Sequence, residues 1–309
     1  MRAHAIGKRV FSCKYLFGGK AMGRLSILDY SWRDRRRKED WQLSEVPTLA
    51  RVRRQPPRVR AVEVSRVTKL SEHRTRVQFV GDLADFSLAG PVGHIKVYFP
   101  HPHQNGIDFA ALAMPRGSRP PSAPIARTFT PRKFDSTAGT LDVDFFVHGE
   151  GPASSFAQSA LNGQQIAISG PSRPHLLQPN LWQLLVGDES AIPAIETILE
   201  ALPADARGSV VLEINDLVDR PNLVAPEGVE VICVIHNPQL SHCAEMLATI
   251  KDLAIPAVPI QVFVAAESVG IRALRRELLS RDLQIEQITT RGYWRFGEAG
   301  HPDSDMGED

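Results

Sequence analysis

ARTFTPRKFDSTAGTLDVDFFVHGEGPASSF, residues 126–156, holds two strand-like runs around a turn, followed by a glycine-containing loop. Arg127 offers a planar fork of donors suited to a pyrophosphate, Phe129 a flat ring and Thr130 a small hydroxyl, all on one extended segment. Side chains alternate across a strand, so Arg127 and Phe129 share a face, and Thr130 faces the other way unless the chain bends at Pro131. The second run, 141–147, alternates in its first half and leads into His148-Gly-Glu-Gly-Pro-Ala-Ser-Ser155. Gly149 and Gly151 allow close backbone approach to a ligand, and Pro152 suits a first helical position. Ala153, Ser154 and Ser155 are therefore expected to present backbone N–H groups to an anion. The stretch reads as a cradle for a large phosphorylated cofactor. An ordinary hairpin followed by a capped helix accounts for the same residues.

Upstream, VRAVEVSRVTKL, RTRVQFVG and GHIKVYF are short, rich in branched or aromatic residues and bounded by turn formers, which predicts strands of a small barrel. His94 and Lys96, two apart, share a strand face that is either solvated or lines a pocket. A proline-rich loop ending in PRGSRPPSAP delivers the chain to Arg127, and downstream QQIAIS offers a strand to close the barrel. The composition then shifts. An apolar strand at 181–186, a turn at Gly187 and a helix open a parallel α/β unit. GSVVLEIN, VEVICVIH and PIQVFVAAES are further buried-type strands. CAEMLATIKDL and VGIRALRRELLSRD are helices, the latter apolar at Ile271, Leu274 and Leu278. A last strand leads to Tyr293, Trp294 and Arg295. The expected plan is an N-terminal antiparallel β-barrel over 58–177 and a doubly wound parallel sheet over 178–300. A basic, proline-broken extension without regular structure precedes them at 1–57, and a loose acidic tail follows at 301–309.

At 309 residues the chain has room for two cores, and a formal charge of +1 gives no global case for nucleic acid or a membrane surface. Cys13, Cys233 and Cys243 are few, odd in number and without metal-ligand spacing, which excludes a disulfide scaffold and fits a reducing compartment. The chain has no apolar run of membrane-spanning length and no secretory signal pattern, so a cytoplasmic protein is expected.

RTFTPR, LDVDFFVHGEGPASSFA, the GP of ISGPS, LLVGDESAIPAI, AAESVGIRALRREL and GYWRFG, taken in order over about residues 59–300, resemble the siderophore-interacting protein family. These are flavin-dependent ferric-siderophore reductases of the ferredoxin-reductase superfamily. The resemblance implies FAD held by Arg127, Phe129, Thr130, Val147, His148, Gly151, Pro152, Ala153, Ser154 and Ser155. It implies NADPH or NADH at Gly187, Asp188, Glu189, Ser190, Ala191, Ile192 and Pro193, with Glu267 nearby and Tyr293 and Trp294 close to the flavin ring. Ser190 is also suited to capping the following helix, and Tyr293 and Trp294 to core packing. Phe129 stands where the family usually has tyrosine and Phe156 where it has tryptophan. Ala266 stands where it has glycine, which points away from nicotinamide and toward a ferredoxin donor. Arg272, Arg275 and Arg276 are either a 2′-phosphate site or a solvated helix face. Lys96, Arg291 and Arg295 are the candidates for an anionic ferric complex.

The implied reaction takes hydride from NAD(P)H to flavin and passes single electrons to Fe(III) in a siderophore. The same residues accommodate a different acceptor, or a flavin-containing protein without turnover.

Overall fold

The computed structural model describes residues 58–301 except 103, 150 and 173, together with the backbone of 8–10, 14–17 and 20–21. Its strands are β1 (Lys8–Val10), β2 (Lys14–Phe17), β3 (Lys20–Ala21), β4 (Val59–Lys69), β5 (Arg74–Gly81), β6 (Ile95–Phe99), β7 (Ile125–Phe129), β8 (Pro131–Asp135), β9 (Thr140–Phe146) and β10 (Gln165–Ser169). They continue with β11 (Trp182–Gly187), β12 (Arg207–Ile214), β13 (Val224–Pro226), β14 (Gly228–Ile235), β15 (Ile260–Glu267) and β16 (Ile288–Trp294). The helices are α1 (Phe109–Ala113), α2 (Pro152–Ser159), α3 (Ile192–Ala201), α4 (Ala244–Asp252) and α5 (Ser268–Ser280).

Seven strands form an antiparallel sheet in the order β7-β6-β10-β4-β5-β9-β8. Its two edges, β7 and β8, are consecutive in sequence and separated by Thr130 alone, so the sheet must curl until its edges meet. QQIAIS, expected to close the barrel, is instead an interior strand, β10, paired with both β4 and β6. A polypeptide bend at Thr130 closes the sheet where a hydrogen-bonded ladder was expected. The interior is aromatic: Phe79, Phe99 and Phe145 are fully buried, and Phe156 on α2 packs its ring against all three. Phe156 is thus the plug that seats α2 on the barrel, and its smaller ring fills a core position.

The second sheet runs β16-β15-β11-β12-β14, all parallel, with β2 and β3 added beyond β14. The chain leaves β11 toward β12 and returns on the other side as β15, which makes the carboxyl ends of β11 and β15 the switch point where such sheets bind ligands. Both faces are covered. α3 and the apolar side chains around Leu185 and Phe263 form one core, and α4 and α5 with Leu184 and Val262 form the other. The three short strands in the first 21 residues differ from the expected structureless extension. The edge of β14 carries a row of unpaired backbone groups, and β2 satisfies three register positions of it. The rest of 1–57, and the tail beyond 301, lie outside the described residues.

Candidate functional site

The cradle strand ends where the barrel closes. Arg127 and Phe129 share a face of β7, as their spacing requires, while Lys96 and Thr128 are cross-strand partners on the opposite face. Phe129 packs one side of its ring against Phe145, with centroids 4.6 Å apart, and remains partly exposed. The Arg127 guanidinium is half-buried. Its one described hydrogen bond goes to the adjacent Ala126 carbonyl at 2.8 Å, and burial alone holds it below its ordinary arginine value. Among the described residues it has no carboxylate partner of the kind that partly buried arginines usually have. Gly300, on the segment after β16, passes against its terminal nitrogens. The bend at Pro131 turns Thr130 inward, where it is buried and faces the Tyr293 hydroxyl.

The loop after β9 is set by its own serine. Ser154 is buried, donates its hydroxyl to the His148 carbonyl at 2.9 Å and accepts from the His148 N–H at 3.2 Å. Val147 packs against the barrel core, and His148 is exposed. Gly149 has φ +58°, which favours glycine, and open space surrounds its missing Cβ. Gly151 is the N-cap of α2 and Pro152 its first residue. The expectation for Ser155 was wrong: its N–H donates to the Gly151 carbonyl at 2.8 Å as the first intrahelical bond. That leaves the N–H groups of Ala153 and Ser154 as the ones without an acceptor within the helix.

At the switch point the polar groups are engaged with one another. One carboxylate oxygen of Asp188 accepts from the Ser190 N–H and hydroxyl, and the other from the Glu267 N–H at 3.0 Å and the Trp294 indole N–H at 2.8 Å. Burial raises its pKa, and these hydrogen bonds only partly offset that. Ser190 therefore does not cap α3, as expected; Asp188 caps the turn that precedes it, and Pro193 lies in the first turn of the helix. Glu189 is held by the Asn215 N–H and side-chain amide, with its pKa raised by burial. Glu267 is buried, caps α5 through the Val269 and Gly270 N–H groups, and accepts from the Phe296 N–H. A Cβ on Gly187 would meet the Ala191 Cβ at 2.5 Å and the Ala265 carbonyl at 2.8 Å, so only glycine lets β11, β15 and the turn come this close. The methyl of Ala266 lies in the core beneath α5, fully buried beside Val264 and Ile271, and not in the crevice. The objection it raised against nicotinamide is removed.

The remaining candidates have separate settings. Lys96 donates to the Thr128 hydroxyl, Arg291 lies on β16 with its guanidinium toward the Thr290 carbonyl, and Arg295 pairs with Glu298 at 3.6 Å. Arg272 folds back on α5, donating to the Ser268 carbonyl and hydroxyl; Arg275 is half-buried and Arg276 exposed. Sequence reasoning missed an aromatic group beside the nucleotide turn. His242 stacks on His236 at 4.8 Å, meets Trp294 edge-on at 4.8 Å and lies 5.2 Å from Phe296. Burial, and then the neighbouring His236, lowers the His242 pKa. Only the loop after β14 brings these rings together, and no spacing in the sequence records it.

The barrel edge fits a flavin dinucleotide: an arginine fork without a carboxylate partner among the described residues, a glycine loop with room for a ligand, and a helix amino end. Residues 63–175 match the siderophore-interacting FAD-binding domain, and residues 180–297 match the siderophore-interacting protein family. The ferric vibriobactin reductase ViuB of Vibrio cholerae is 33% identical over 249 residues, covering 77% of this chain and 90% of that protein. The NADPH-dependent ferric-chelate reductase of Escherichia coli is 28% identical over 247 residues, covering 77% and 93%. Among solved structures, the siderophore-interacting protein SipS from Aeromonas hydrophila superposes with a TM-score of 0.69 at 32% identity, covering 79% of this chain and 94% of that one. Both halves are matched in the order in which the barrel and the parallel sheet occur, and the chain belongs to the siderophore-interacting protein family.

Proposed function

We propose that this chain is an FAD-dependent ferric-siderophore reductase that draws electrons from NADPH or NADH and releases Fe(II) for iron assimilation. The names of the relatives, ferric vibriobactin reductase, ferric acinetobactin reductase and NADPH-dependent ferric-chelate reductase, support this reading. The observation that carries it is a two-step link between the sites. Thr130, at the end of the cradle strand, faces the Tyr293 hydroxyl, and the adjacent Trp294 bonds Asp188 in the nucleotide turn.

FAD, when bound, supplies a group that takes two electrons as hydride and gives them up singly to Fe(III). The chain's own residues bind and orient. Arg127 and the N–H groups of Ala153 and Ser154 take the pyrophosphate, with Gly151 and Pro152 setting the helix start. Phe129, Thr130, Val147 and His148 border the ring system. Gly187, Asp188, Glu189, Ser190 and Glu267 form a rigid turn that admits the nucleotide by shape and backbone, and Tyr293 and Trp294 stand between the two. Lys96, Arg291 and Arg295 supply positive charge for an anionic ferric chelate. Reduction loosens the complex, because hard siderophore oxygens hold the smaller, more highly charged Fe(III) much better than Fe(II).

We divide the chain into a flavin half, 58–177, and a nucleotide half, 178–300. No described helix is long and apolar enough to cross a membrane. Our placement in the cytoplasm rests on the NADPH or NADH donor. The buried methyl of Ala266 takes away the motive for a ferredoxin donor.

The test is anaerobic. Apoprotein should take up one FAD, NADPH or NADH should bleach it, and a ferric siderophore should restore the colour while a chelator traps Fe(II). Flavin that stays bleached with catecholate, hydroxamate and citrate-type complexes alike would overturn the assignment.

A further inference from the structure

Arg132 lies five residues beyond Arg127 on the same run of chain, and neither the cradle nor the nucleotide turn accounts for it. Its side chain crosses to the other half of the molecule. Nε donates to Glu196 at 2.6 Å, and the two terminal nitrogens fork onto the two oxygens of Glu200. Both glutamates are on α3, the helix that begins directly after the nucleotide turn. Arg74 on β5 also reaches Glu196, at 3.4 Å, and lies 3.6 Å from Asp144, which Arg76 holds in a two-pronged pair at 2.6 and 2.9 Å. Two arginines, Arg132 and Arg74, thus meet two carboxylates across the boundary, while Asp144, on the barrel strand β9, and Arg76 anchor Arg74 on its own side; Arg132 and Glu196 are mostly shielded from water.

A second bridge stands apart from the first. Asp219, on the short turn after β12, is buried and belongs to the nucleotide half. All the described partners of its carboxylate belong to the barrel's β4–β5 turn: the Ser71 hydroxyl at 2.6 Å, the His73 N–H at 2.8 Å and the His73 ring at 2.6 Å. Two contacts of this kind fix a direction as well as a distance, since forked guanidinium–carboxylate pairs and multiply bonded carboxylates tolerate little rotation. Hydride transfer demands such control. Reacting atoms must come within about 3–3.5 Å, and a displacement of about 1 Å costs about a hundredfold in rate.

We propose that Arg132, with Glu196 and Glu200, and Asp219, with Ser71 and His73, are positioning residues that hold the nucleotide half in register with the flavin half for hydride transfer. They belong to neither the cradle nor the nucleotide turn. They act by fixing α3, and with it the Gly187–Pro193 turn, relative to the strand that carries Arg127. This rests on the reductase reading given above, and it predicts that the two half-reactions respond differently.

The experiment uses FAD-loaded, full-length Arg132→Lys, Asp219→Asn and the double variant, with Glu200→Gln as a mild change at an exposed position. Four readouts are taken: FAD content, the long-wavelength absorbance that NADP⁺ induces when nicotinamide stacks on flavin, flavin reduction by NADPH, and oxidation of photoreduced flavin by a ferric chelate. The expected result is unchanged FAD content and chelate oxidation, a weakened stacking band, and a reduction rate lowered on the order of tenfold in each single variant and more in the double. The loss should appear in the limiting rate, with the NADPH concentration at half-maximal rate nearly unchanged. Wild-type stacking and reduction in the double variant would overturn the proposal, as would equal slowing of both half-reactions or a loss confined to nucleotide affinity. If wild-type flavin is not reduced by a pyridine nucleotide at all, it is the reductase reading that fails.

Discussion

At the end of β7 the Arg127 guanidinium has one described partner, its neighbour's carbonyl, whereas at the end of β11 both oxygens of Asp188 are occupied by four donors from three segments of chain. The two regions are alike in being short polar runs at strand ends. They differ in what their polar groups are doing among the described residues: the barrel edge holds a donor fork open, and the switch point closes on itself. A ligand at the first contributes hydrogen bonds that the protein lacks. One at the second meets a finished surface and is selected by shape and exposed backbone. Substitutions should therefore cost ligand at the first region and fold at the second.

The largest expected effect is at the closed region. Asp188→Ala leaves the Trp294 indole, the Glu267 N–H and Ser190 without their acceptor. At roughly 1–3 kcal/mol per orphaned donor, with water recovering part, the expected loss is about 3 kcal/mol. That corresponds to a melting temperature lower by about 6–12 °C. Thermal denaturation monitored by circular dichroism measures this, and an unchanged melting temperature would erase the contrast.

Next comes the open region. Arg127→Ala removes a charge-assisted contact worth about 1.5–3 kcal/mol, or roughly a ten- to hundredfold loss of FAD affinity by fluorescence titration. The apoprotein's melting temperature should hold or rise slightly, because the change removes a half-buried cation that burial already disfavours. A large fall in apoprotein stability would show that Arg127 is structural, as Asp188 is.

How much of this was legible in the sequence follows from the range of the contacts. Alternation showed the barrel strands, the face shared by Arg127 and Phe129, and the apolar stripe of α5, because those properties repeat within a few residues. Gly187 and Pro152 were legible because backbone geometry is local. The hydrogen bonds of Asp188 and Glu267 were not, since their partners lie 106 residues away at Trp294 and 29 residues away at Phe296. The Ser71–Asp219 bridge, at a separation of 148, was equally hidden, as was the closure of the barrel through Thr130. The strands β2 and β3 were missed because a short edge strand depends on the strand it joins more than on its own pattern.

A smaller change separates family pattern from local packing. Ala266→Gly restores the residue usual in the family, but it empties a core position beneath α5. The expected outcome is a loss of about 0.5–1 kcal/mol in stability from added backbone freedom and lost packing. The NADPH concentration at half-maximal rate should stay within about twofold of wild type. A clear gain in NADPH affinity would mean that the methyl does face the nucleotide.

The smallest effect tests the seam between the two regions by pH. The His73 pKa is raised above its ordinary 6.5, first by its hydrogen bond to Asp219, which together with that carboxylate's charge outweighs the burial penalty. Burial pushes Asp219 upward, but the bonds from Ser71 and His73 outweigh it and hold the carboxyl below its ordinary value. A group whose pKa is higher in the folded state binds its proton more tightly there. Its stabilisation is complete below the unfolded value and disappears as pH rises through the folded one. The Asp219 contribution runs the other way, present above the ordinary carboxylate range and lost as pH falls through its lowered value. His73→Gln should thus narrow the stability difference between about pH 6 and about pH 8.5, with wild type favoured only at the lower pH. Half of the His73 side chain is in water, so the difference should be a few tenths of a kcal/mol. Paired urea titrations at the two pH values would measure it, and an equal cost at both would mean that the ring contributes packing and no charge.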